Sequence, residues 1–105
     1  MENLICGLAD AQIQELKQEH GILILGTVKQ GEETYHAIFK EPTFTVLESV
    51  GAISAKSEVK GSVALYDNCV LAADDAFKTR DFLKLKAIES LAKHMNSFSV
   101  DVKNL

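Results

Sequence analysis

The sequence predicts a small α+β domain, a short antiparallel β-hairpin or small sheet packed against three to four helices. Three observations predict it. Between Gly21 and Pro42, two runs rich in β-branched and aromatic residues flank a polar break, Lys29 to Glu33, that contains Gly31. That is a hairpin pattern. From Thr43 onward the apolar spacing changes from two to three and four, the helical period. No Pro/Gly/Ser-rich linker and no internal repeat interrupts the 105 residues, so the chain reads as one domain, with 1–8 and 98–105 at its periphery.

Residues 1–8 form a short apolar lead that reads either as a ragged end or as a small extra strand. Asp10 then offers an N-cap, and Ile13 and Leu16 share one face of a brief helix. Glu19-His20-Gly21 is a stop, with His20 near the negative end of the helix dipole and Gly21 free to take positive φ. So short a helix is marginal alone and must dock on something.

Ile22 to Val28 reads as a strand with apolar residues at both parities, which predicts partial cover on both faces. Thr34 to Phe39 alternates: Tyr35, Ala37 and Phe39 on one face, Thr34, His36 and Ile38 on the other. Pro42 ends this strand because it has no N–H to donate to a ladder.

Thr43 is the candidate N-cap of a helix whose stripe includes Phe44, Leu47 and Val50. The small residues Gly51, Ser54 and Ala55 allow a partner element to come close. Ser57 caps the next segment, where Val59, Val63, Tyr66 and Val70 fall on a helical stripe. Its β-branched content also suits a strand, but alternation fails at Ala64-Leu65-Tyr66, which favours helix. Ala72 to Lys78 is a break. A long helix is expected from about Thr79 to Met95, with ridges Phe82/Leu85 and Leu83/Ala87/Leu91/Met95 making a wide apolar face. Phe98 to Leu105 is either a tail or a late alternating strand.

Composition narrows function mostly by exclusion. An apolar content of 47% is too high for a disordered chain. The net charge is -4 and no stretch is strongly basic, so a nucleic-acid footprint is missing. Cys6 and Cys69 have no metal-ligand spacing, and two idle thiols in a reducing compartment are the plain expectation. The first eight residues lack a basic n-region followed by a long apolar run, and no stretch is apolar for a membrane-spanning length. A cytoplasmic location without membrane partners is expected.

The chemistry-bearing residues do not assemble into a motif. Asp74-Asp75 could hold a cation, yet no EF-hand spacing surrounds them, and a solvated turn explains them more simply. His36 could act as a general base if Asp67 or Glu33 came near, giving a small-ligand pocket or an enzyme as the alternative function; a surface histidine is the plainer account. The glycines make neither G-x-G-x-x-G nor a Walker loop, and the serines lack a nucleophile elbow. Lys78, Arg80, Lys84 and Lys86 are interrupted by Asp81 and followed by Glu89. They read as a solvated helix face, with docking of an acidic protein surface as the sharper alternative.

A family resemblance sharpens this. Phe39-Lys40-Glu41-Pro42 resembles the aromatic-basic-x-proline step of small phage and prophage tail assembly chaperones. Leu65-Tyr66-Asp67-Asn68-Cys69-Val70-Leu71 resembles their Leu-x-x-Asn-Cys-hydrophobic segment. Ala72-Ala73-Asp74-Asp75 stands where many of them have Gly-Gly-Asp-Glu, and Asp81 to Leu91 is similar to their closing helix. The likeness spans about residues 33–92, and the helix expected at 10–20 has no counterpart in it. It implies a non-enzymatic factor without cofactor or metal that binds the apolar helices of a tape-measure protein. Such a factor needs an exposed apolar groove or a self-association surface, so a homo-oligomer is also within the expectation. Phe44, Leu47, Val50, Tyr66 and Phe82 are the candidate protein-binding residues, each readable as groove or as core.

Overall fold

A computed structural model describes residues 4–105, so part of the apolar lead, residues 1–3, lies outside the described residues. The elements in chain order are helix α1 (Asp10–His20), strands β1 (Leu23–Gln30) and β2 (Glu33–Lys40), and helices α2 (Phe44–Ser54) and α3 (Glu58–Cys69). Strand β3 (Val70–Ala73), a 3-10 turn (Asp75–Lys78) and helix α4 (Asp81–Met95) follow. The α+β class is as expected, with four helices and one antiparallel sheet ordered β1-β2-β3.

Local chemistry sets most boundaries. Gly31 has φ +59 at the first position of the two-residue link Gly31–Glu32, a glycine-first turn that suits the twist of a hairpin. It fixes the register Ile24↔Phe39, Gly26↔Ala37, Val28↔Tyr35. Gly21, at φ +81, donates its N–H to Lys17 O and closes α1. The Thr43 hydroxyl accepts from Val46 N, and the Ser57 hydroxyl accepts from Lys60 N, so both expected caps are formed. The N-cap of α1 is Ala9 instead of Asp10. Ala9 has no side-chain acceptor, and its own N–H donates to Gln12 Oε1 at 2.9 Å.

Two sequence expectations need correction. The helical stripe that included Val70 ends at Cys69, and Val70–Ala73 leaves as a third strand. Long-range pairing decides this: Phe39↔Val70, Ile38↔Ala72 and Ala37↔Ala73 supply a ladder that one more helical turn could not. The expected break, Ala72 to Lys78, holds the end of this strand and the 3-10 turn, and α4 starts at Asp81 instead of Thr79. Of the two readings of residues 98–105, the tail is the one seen, since they form no strand within this chain.

The core lies between the sheet and helices α3 and α4. Ile24, Ala37 and Phe39 from one sheet face meet Leu83, Ala87 and Leu91 of α4, with Tyr66, Cys69 and Phe77 completing the cluster. Tyr66 packs edge-on to Phe39 at 5.7 Å and stacks on Phe77 at 6.2 Å. Helix α4 comes close because Gly26 has no side chain. A Cβ there would lie 3.1 Å from the Phe39 ring and 2.6 Å from Ser90 Oγ. Arg80 ties the start of α4 to the hairpin, donating to Gln30 Oε1 at 2.7 Å and to the Tyr35 hydroxyl at 3.2 Å.

The other sheet face is covered thinly. Ile5 and Ile13 of the lead and α1 approach Leu23, Leu25 and Ile38. Helices α2 and α3 form a pair that touches most closely where Gly61 faces Ser54. A Cβ on Gly61 would lie 2.9 Å from Ser54 Cβ and 3.0 Å from its Cα. Part of the chain thus lies outside one round core: the radius of gyration is 15.4 Å, against about 13 Å for a compact chain of this length.

Candidate functional site: an apolar groove between α2, α3 and α4

Helix α2 carries one charged residue, Glu48, and otherwise alternates apolar and small residues. None of its side chains is buried. Phe44 is 89% exposed in the first turn, Leu47 and Ile53 are also exposed, and Val50 is half-buried. Beside Leu47 the chain opens a groove of about 400 Å³, floored by Leu65 of α3 and by Ile88, Leu91 and Met95 of α4, with Phe98 at its end. That size and lining suit apolar side chains of a ligand or partner.

The rim is polar and held in place. His94 Nε2 and Glu41 Oε2 are 2.6 Å apart, and Phe98 lies edge-on to the His94 ring at 5.4 Å. The pair joins the last turn of α4 to the residue before Pro42, so it fixes the mouth between the end of the sheet and the start of α2.

The five sequence candidates separate here. Leu47 lines the groove, and Phe44 and Val50 sit one turn to either side of it on α2. Tyr66 is a core residue, buried between Phe39 and Phe77. Burial first, and the nearby Asp67 and Cys6 after it, push its hydroxyl pKa up. Phe82 is 67% exposed but occupies the first turn of α4, with Lys86 Nζ 5.9 Å over its ring. The 13 residues from there to Met95 place it roughly 20 Å along the helix from the groove. Sequence reasoning did not select Leu65, Ile88, Met95, Phe98, or the Glu41–His94 pair. The available signal was the ridge Leu83/Ala87/Leu91/Met95: its first three members fill the core and its last reaches the groove.

Around His36 the geometry is that of a strand tie. The ring Nδ1 lies 3.1 Å from Thr27 Oγ1, its cross-strand neighbour, so Thr27 takes the place expected of Asp67 or Glu33. The His36 N–H donates to Asp74 Oδ2 at 2.7 Å, and the His36 carbonyl accepts from Asp74 N at 3.0 Å and from the Cys6 thiol at 3.1 Å. Asp74, expected as a solvated turn residue, is therefore engaged by β2. Desolvation above all, with Asp74 adding to it, pushes the Cys6 thiol up to about 11, so it remains a protonated donor at neutral pH. Burial likewise raises Cys69, with Lys40 opposing. Both cysteines are free thiols. His36 lines neither the groove nor the depressions beside β3 and beside Leu25. Among the described residues, no group of three His, Cys, Asp or Glu side chains could hold a metal ion, and no helix is long and apolar enough to cross a membrane.

No family model, curated protein or solved structure matches the chain.

Proposed function

We propose that this protein is a non-enzymatic interaction factor, whose groove receives the apolar face of a partner helix as a tail assembly chaperone would receive a tape-measure protein. The observation behind this reading is the pairing of an apolar helix that buries none of its own side chains with an adjoining apolar groove. An amphipathic helix would set anchors spaced by three and four residues against Leu47, Leu65 and Met95, with Phe44 covering its flank. Fully covering a phenylalanine as exposed as Phe44 is worth about 1.5–3 kcal/mol, so a few such contacts give usable affinity.

The test is a titration with helical segments of a tape-measure-type protein encoded in the same genetic element. Wild type should bind at least one of them. Leu47→Asp combined with Met95→Asp should weaken that binding at least about tenfold, roughly 1.4 kcal/mol, while circular dichroism stays unchanged. Binding that is indifferent to both substitutions would reject the groove as the site.

A further inference from the structure

The two outer strands of the sheet are not alike. β3 is four residues long and its pairing with β2 shifts register between Ile38 and Phe39. Shortness and irregularity are both ways of blunting a sheet edge. β1 has eight residues, no proline, and an unbroken register with β2. On its far side it has no hydrogen-bond partner among the described residues. An antiparallel strand of that length turns about four residues outward, which makes this edge a template for another strand.

Next to that edge, on the α1 side, is a depression of about 240 Å³ lined by Ile13, Leu23, Leu25 and Ile38. Leu25 is 48% exposed within β1 itself. Elsewhere the chain carries a segment with strand patterning and no sheet. Ser99-Val100-Asp101-Val102-Lys103 alternates polar and apolar residues, and Val100 and Val102 are 86% and 87% exposed. Beyond Phe98 N no backbone group of this segment makes a hydrogen bond.

We propose that residues 99–105 of a second copy of this chain add as an outer strand along β1, seating Val100 and Val102 beside Leu25, and that the exchange is reciprocal. A second copy fits better than the chain's own segment. Helix α4 packs on the opposite sheet face, over Gly26, and Phe98 is held against His94. The chain's own residues 99–105 are exposed and make no backbone hydrogen bond, while its β1 pairs only with β2 among the described residues, so the strand is not delivered within one chain. Reciprocal donation makes a closed two-fold pair in which each edge is covered. The receiving depression and the groove share no lining residue, and Phe98 of the groove directly precedes the donated segment.

Sedimentation of the full chain over a wide concentration range tests it. The expected mass is one chain at low concentration and two at high concentration. Val100→Asp with Val102→Asp should hold the protein at one chain, and so should Leu25→Asp, each with unchanged circular dichroism. Mixing those two variants should restore pairing, because one retains the receiving edge and the other the donated strand. Met95→Asp, in the groove, should still dimerise. The proposal is overturned by a wild type that stays monomeric, or by a dimer indifferent to the valine substitutions. It is equally overturned by a monomer whose residues 99–105 resist hydrogen exchange, which would place the strand on its own sheet.

Discussion

Helices α2 and α4 are both rich in apolar residues, and they are used in different ways. α4 buries Leu83, Ala87 and Leu91 along one ridge. α2, with a higher density of apolar residues, buries none. The difference is position. α4 crosses the sheet where Gly26 lets it come close, and Arg80 anchors its first turn to the hairpin. α2 leaves the sheet at Pro42 and rests on α3 through the Ser54–Gly61 contact. An apolar stripe alone therefore does not say whether a helix is buried; its distance from the sheet decides how much of the stripe its own chain covers.

The sharpest way to break this contrast is truncation in each helix. Leu83→Ala in α4 should cost about 2–5 kcal/mol, read by urea denaturation. Leu47→Ala in α2 should cost about 1 kcal/mol or less, since part of that side chain is already in water. Equal losses would mean that α2 is as much core as α4. Next in size is the joint between α2 and α3. Gly61→Ala should destabilise by about 1–3 kcal/mol, because the new methyl meets the Ser54 backbone and must push α2 away. Ser54→Gly in the same chain should restore part of the loss.

Gly51 is the control for that joint. It is helical, and a Cβ there would meet nothing within 4 Å. Gly51→Ala should therefore stabilise the protein, by about 0.5–1 kcal/mol. A loss of stability would show that something packs on this face of α2. The smallest effect is alkaline. The Cys6 pKa rises from 9.0 to about 11 on folding, so between those values the unfolded chain holds fewer protons than the native one. The Cys6 contribution to stability should then be constant below pH 9 and decline as pH climbs toward 11. Cys6→Ser should flatten that part of the alkaline decline, the remainder belonging to Cys69 and Tyr66, which shift the same way.

What was legible in the sequence was local. The Gly31 turn, the Gly21 stop and the Thr43 and Ser57 caps each follow from one or two residues, and each is present. β3 was hidden because Val70 continues the stripe of Val59, Val63 and Tyr66. Only its pairing with Phe39, thirty-one positions earlier, turns it into a strand. The separation of Tyr66 from Leu47 is equally non-local. Both lie on helical stripes, and the Phe39 and Phe77 rings enclose the first while the second stays partly open to solvent at the groove. The groove could not be read for the same reason, since its lining comes from three helices whose mutual placement depends on Gly26 and Gly61.

Asp74 grips a single residue of β2 with both its amide and its carboxylate, and the 3-10 turn carrying the buried Phe77 starts directly after it. The sheet and the aromatic centre of the molecule therefore share a clasp. Separating β3 from β2 as far as residue 74 would require breaking both of these hydrogen bonds, next to the turn that seats the Phe77 ring. The last short strand is thus tied down at its far end, and one acidic side chain links the sheet's edge to the aromatic centre.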